Sequence, residues 1–182
     1  CGDLNSPLTG ADMSNTESMV QDGDNGILID SDIIAKISQS EELADEFGTE
    51  DNSTLRIIDC EGKAIIPGFV DSHTHLLWEG DRSNEMQLRH KGLTYSDIAK
   101  SGGGIQKTVD FTRSASIESL TKLGQRRISR AFEFGTTTME CKSGYGLTVN
   151  SELKLLEVNQ FLSEQTPMGI HSTWLGAHDV PR

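Results

Sequence analysis

From residue 117 to 134, apolar side chains recur at 117, 120, 123, 128, 131 and 134, roughly one face of a helix. Ser116 stands where it can cap the start and Gly135 where it can end the helix. The β-branched run Thr136–Lys142 follows at once and leads into Ser143-Gly144-Tyr145-Gly146. A second helix is predicted over Glu152–Gln165, with Leu153, Leu156, Val158, Phe161 and Leu162 on its apolar side and Pro167 beyond it. Ile170–Leu175 reads as the next strand, ending in Gly176-Ala177-His178. Ahead of these, Ala64–His75 reads as a strand, with Ile65-Ile66 and Phe69-Val70 on either side of Pro67-Gly68, which interrupts regular pairing. Between them, residues 76–115 suggest short helices.

Such alternation predicts an α/β protein with a parallel sheet and crossover helices. A closed (β/α)8 barrel and an open doubly wound sheet both satisfy it, and both place the chemistry where strands end before helices. No G-x-G-x-x-G follows a strand, which disfavours a dinucleotide-binding open sheet. About 120 residues follow Lys63, whereas a complete barrel needs about 250. The expectation is therefore a partial, TIM-like barrel holding its first three strands.

The N-terminal third differs. Residues 1–25 are polar and aperiodic and read as loop, without order at the start. Short β-like runs follow at Gly26–Ile29, Ile33–Ser38 and Leu55–Asp59, with turns at Asp30-Ser31-Asp32 and Glu61-Gly62 and a helical turn or two at Glu41–Phe47. Residues 1–63 are read as a small β-rich domain and 64–182 as the barrel portion. Charge agrees with this division: residues 1–60 carry 14 acidic and two basic side chains, and the remainder carries 14 of each. No basic stripe is available for nucleic acid or an anionic membrane. No apolar stretch approaches the roughly 18 residues of a membrane span, and no basic-then-apolar leader is visible, so a cytoplasmic protein is expected. Cys1, Cys60 and Cys141 are too few and too scattered for a disulfide framework. The chain opens without methionine and stops at Pro181-Arg182, so a fragment is expected.

His73 and His75 are two of only five histidines. On a strand, residues i and i+2 share a face, so both imidazoles would point one way, with Asp71 placed to orient them. Two neutral imidazoles at the C-terminal end of a strand make half of a divalent metal site.

Here a family resemblance enters. PGFVDSHTH at 67–75 resembles the first-strand signature of the amidohydrolase superfamily. GDR at 80–82, GLTYSDIAKSGGGI at 92–105, TRSAS at 112–116, GTTTMECKSGYGL at 135–147, ELK at 152–154 and LGAH at 175–178 narrow it to the imidazolonepropionases. The resemblance implies hydrolysis of the cyclic amide of 4-imidazolone-5-propanoate to N-formimino-L-glutamate, in histidine degradation. It also implies one Zn2+ or Fe ion with His73 and His75 as ligands, and a homodimer at full length. Arg82 matches a substrate-binding arginine, and Tyr95, Tyr145 and His178 match substrate-contacting positions. The two remaining metal ligands and the proton shuttle have no counterpart before Arg182, so no catalytic residue is assigned and the isolated chain is expected to be inactive. His171 is read as packing, His90 as exposed and Lys142 as structural. Gly102-Gly103-Gly104 is read as a flexible substrate cover. Glu79 either weakens the field of Arg82 or faces away. Rival readings are another cyclic-amide hydrolase or ring deaminase of the same superfamily, and an inactive remnant.

Overall fold

A computed structural model describes residues 9–15, 20–48 and 55–181. The chain divides into two compact units, Cys1–Ile65 and Ile66–Arg182.

In the first unit, β1 (Asn25–Asp30) and β2 (Ile33–Gln39) form an antiparallel hairpin, followed by α1 (Ser40–Phe47). The two-residue connection needs a left-handed backbone, and Ser31 supplies it with φ of 59°. Lys36 on β2 reaches Glu46 on α1 at 2.5 Å. The expected strand at Leu55–Asp59 does not form: the segment has no regular structure, and Ile57 and Ile58 face solvent. A β-prone run is a strand only when a neighbour takes its hydrogen bonds, and none among the described residues does here. The turn at Glu61-Gly62 is present, closed by Lys63 N–H to Cys60 O at 2.8 Å.

The second unit is built on three parallel strands in the order β3 (Phe69–Thr74), β4 (Thr136–Lys142), β5 (Gly169–Thr173). The β3–β4 crossover carries α2 (Asn84–His90), α3 (Tyr95–Lys100), α4 (Ile105–Ser114) and α5 (Ile117–Glu133); the β4–β5 crossover is α6 (Val149–Ser163). A mixed α/β architecture with a small parallel sheet is thus established. β3 starts later than its apolar run because Pro67 lacks an N–H and Gly68 lies so close to Thr137 that a Cβ would sit 2.1 Å from its Oγ1.

Leu76, Leu77, Leu120, Ile128, Met139, Cys141, Leu155, Val158, Leu162 and Met168 form one buried core between sheet and helices. Ser116 caps α5 through Ser119 N–H, as its position suggested. Helix α6 begins three residues earlier than expected because Thr148 caps it through Ser151 N–H. Its buried face also differs: Leu155, Val158, Asn159 and Leu162 point inward, whereas Leu153 and Phe161 are 43% and 48% exposed. The inward set follows the i, i+3, i+4, i+7 spacing, and the eight-residue pair Leu153/Phe161 marks a separate stripe.

Candidate active site

The C-terminal ends of the three strands lie side by side, so residues distant in sequence meet there. β3 delivers His73 and, just past its end, His75. β4 ends at Lys142 and opens into the loop Ser143–Leu147, which carries Tyr145. After β5 the chain turns through Trp174 and Gly176 to His178.

His75 is the hub. Its ring centroid lies 4.5 Å from that of His178, nearly stacked, 5.0 Å from Tyr145 and 6.0 Å from His73. Tyr145 meets His178 edge-on at 5.3 Å. The expectation that His73 and His75 share a side of the strand holds to the extent that their rings are neighbours. Asp71 does not orient either ring: its carboxylate accepts the main-chain N–H of His73 at 3.1 Å. The β3–β4 register shifts between Asp71 and Thr74, which breaks the simple alternation on which that assignment rested.

Local bonds fix the cluster. Ser143 N–H donates to Thr173 O at 2.9 Å, and Ser143 Oγ accepts Leu175 N–H at 3.0 Å, tying the β4 end to the β5 end. His178 Nδ1 lies 3.0 Å from Gly144 O. A carbonyl only accepts, so Nδ1 carries the hydrogen of this bond and Nε2 faces away from it. Gly144 must be glycine: its φ is 122°, and a Cβ would sit 2.9 Å from His178 Cβ. Lys142 pairs with Glu140 at 2.5 Å, and Glu140 also accepts Thr173 Oγ1–H at 2.7 Å. Those two hydrogen bonds, from Lys142 first, hold the Glu140 carboxyl below its usual range.

Burial, then the fields of His178, His73 and Lys142, hold the His75 imidazole below its ordinary value of 6.5, with the Ser143 main chain acting the other way. Nδ1 of His75 is buried without a hydrogen-bond partner. A neutral imidazole with an unclaimed ring nitrogen is the chemistry a metal ligand requires. His75 is thus suited to be a donor to a divalent ion, and the His73 ring lies 6.0 Å from it. Among the described residues no group of three or more His, Cys, Asp or Glu is placed to hold a metal.

Arg82 and Tyr95 belong to a second cluster. Arg82 Nε donates to Glu85 Oε2 at 3.1 Å, and Glu85 Oε1 accepts Gly104 N–H at 2.8 Å. Tyr95 is half exposed, with the Arg89 guanidinium 5.9 Å from its ring centroid and its hydroxyl close to Gly104. Neither residue makes a ring contact with the histidines. The link runs through Gln106, whose amide donates to Val180 O at 3.0 Å and to Asp179 Oδ2 at 3.3 Å, next to His178. Gly104 is buried and bonded rather than a loose cover. Glu79 turns away from Arg82: it accepts Ser119 Oγ–H at 3.0 Å and lies in the field of Arg127. Trp78 lies under that same Arg127, 3.9 Å from guanidinium to ring. His90 is exposed as expected, whereas His171 is exposed on β5 and not packed.

Two carboxylates essential to this geometry escaped the sequence reading. Glu85 is buried under Arg82, and the i, i+3 spacing was the available sign. Glu152 is buried at the start of α6 and holds the Tyr145 loop; its sign was an acidic residue in the first turn after a glycine-rich stretch.

Comparison with known proteins shows what the chain resembles. No family model matches the chain. The imidazolonepropionase of Brevibacillus brevis is 42% identical over 181 residues, which is 100% of this chain and 42% of that protein. That of Alkaliphilus oremlandii is 42% identical over 176 residues, 97% of this chain and 40% of that protein. That of Symbiobacterium thermophilum is 48% identical over 132 residues, 72% of this chain and 31% of that protein. The chain is similar to imidazolonepropionases along nearly its whole length. It spans about two fifths of the length of the relatives that match nearly all of it.

Proposed function

We propose that the protein to which this chain belongs hydrolyses the cyclic amide of 4-imidazolone-5-propanoate, yielding N-formimino-L-glutamate in histidine degradation. The observation that carries this reading is the meeting of His73, His75, Tyr145 and His178 at the ends of three parallel strands. Strand ends are where a (β/α)8 barrel keeps its chemistry, and we read Ile66–Arg182 as the first part of such a barrel.

His73 and His75 are the residues that would hold Zn2+ or Fe. When bound, the ion supplies Lewis acidity and a water made acidic enough to attack at neutral pH. His178, with Nδ1–H committed to Gly144 O, presents Nε2 to the substrate amide and can accept a hydrogen bond from its ring N–H. Tyr145 packs its ring against His75 and offers a phenol to the substrate's polar edge. Arg82 uses only Nε on Glu85, and its two terminal nitrogens have no partner among the described residues. That free edge suits the two oxygens of a propanoate tail. Tyr95 then sits beside the tail rather than beside the scissile bond. In hydrolysis, water adds to the ring carbonyl carbon, the C–N bond breaks and the departing nitrogen takes a proton.

We place the protein in the cytoplasm as a homodimer with a small-molecule substrate. No helix among the described residues is long and apolar enough to cross a membrane. The test is a product assay on the full-length protein. Formation of N-formiminoglutamate supports the reading; ammonia released from a ring amine, with imidazolonepropionate untouched, identifies a ring deaminase and overturns it.

A further inference from the structure

Three main-chain N–H groups converge on one buried carboxylate. Glu152, 1% exposed, accepts Gly144 N–H at Oε2 (2.7 Å) and the N–H groups of Gly146 and Leu147 at Oε1 (2.8 and 2.6 Å). Arg113 holds the same loop through its carbonyl side: Nε donates to Gly146 O at 2.6 Å. Gly146 is gripped through both its N–H and its C=O. Leu147 has φ of 53°, a left-handed conformation that a leucine keeps only when its surroundings impose it.

Burying a carboxylate is costly, so its purpose matters. Starting helix α6 does not require it, because Thr148 already caps that helix. What Glu152 fixes is the loop on either side of Tyr145. Gly144 passes the constraint onward, since its carbonyl takes His178 Nδ1–H at 3.0 Å. Tyr145 and His178 thus both depend on the loop that Glu152 holds.

We propose that Glu152, assisted by Arg113, is a positioning residue that sets Tyr145 and His178 against His75. This deepens the functional reading above and rests on it for the kinetic readout alone. A glutamine cannot replace the carboxylate, because its NH2 would face an N–H where an acceptor is needed.

The experiment compares Glu152→Gln with Leu155→Ala in the full-length protein. Leu155 lies on the same helix, fully buried in the core, and reports loss of stability without loss of the loop clamp. At temperatures giving equal folded fractions, Glu152→Gln is expected to lower kcat/KM about 10²-fold, the effect of a misplaced reacting group, while Leu155→Ala is not. Metal per chain stays unchanged, and the effect shrinks when Glu152→Gln is added to His178→Ala, because only the Tyr145 part of it remains. Equal kinetic losses in both variants, or full additivity with His178→Ala, overturn the proposal. Independently of activity, the 19F resonance of 3-fluorotyrosine at Tyr145, assigned with Tyr145→Phe, should move in Glu152→Gln and hold still in Leu155→Ala. If the wild type does not act on imidazolonepropionate, the functional reading fails and this resonance alone decides the role of Glu152. If Glu152→Gln does not fold, Arg113→Lys is put through the same measurements, with the same outcomes deciding.

Discussion

His75 takes up a proton less readily than an exposed histidine. Burial first, then His178 and His73, depress its pKa below 6.5. The unfolded chain binds that proton at 6.5 and the folded chain resists it, so this contribution to stability is complete above about pH 6.5 and is lost on acidification. The urea midpoint should fall between pH 7 and pH 5, and fall less in His75→Gln. Cys141 shows the opposite sign. Burial, then Asp71 and Glu140, push its thiol from 9.0 up to about 12. Iodoacetamide at pH 8 should label the partly exposed Cys60 and leave buried Cys141 untouched until the chain is denatured, as peptide mapping would read. For Arg82→Lys in the full-length protein, loss of one charge-assisted hydrogen bond, worth about 1.5 kcal/mol, raises KM about tenfold. Metal content should not change; a variant stripped of metal would refute the substrate role.

At the scale of elements, α5 and α6 meet through a glycine. A Cβ on Gly124 would lie 2.4 Å from Leu162 Cδ1 and 3.0 Å from Leu77 Cδ2, both in the closed core. Alanine gains about 1 kcal/mol of helix propensity but overpacks the core by about 1–3 kcal/mol. The second effect is expected to win because both leucines are themselves buried in the core, so Gly124→Ala should lower the denaturation midpoint. Periodicity located α5, β4 and the cap at Ser116 because these depend on neighbours within one turn or one strand. It misjudged the inward face of α6: Leu153 and Leu155 are equally apolar, and which one is buried depends on where α5 and the sheet lie. The missing strand at Leu55–Asp59 has the same origin, since strand formation needs a partner that local sequence does not name.

At the scale of the molecule, the sheet order β3-β4-β5 leaves each outer strand with one neighbour among the described residues. Phe69 and Val70 on β3 are 55% and 68% exposed, and Phe161, Leu153 and Trp174 add apolar surface elsewhere. Open strand edges beside apolar surface favour association. The 182-residue chain by itself should elute with a concentration-dependent size and brighten ANS, while the full-length protein at the same concentration does neither. A monomeric, ANS-silent chain would mean that these surfaces are benign.

Sequence by itself determined which residue types stand at the strand ends: two imidazoles one residue apart, a phenol between glycines, and a third imidazole after Gly176-Ala177. It also marked the strand–helix grammar that makes a parallel sheet, because both depend on order along the chain. Only the tertiary structure decided that these rings meet around His75, that Arg82 and Tyr95 gather instead about Glu85 and Gly104, and that Glu152 holds the loop between them. Those are distances between segments brought together by packing, and a carboxylate that will accept three main-chain N–H groups looks, in sequence, like any other acid at the start of a helix.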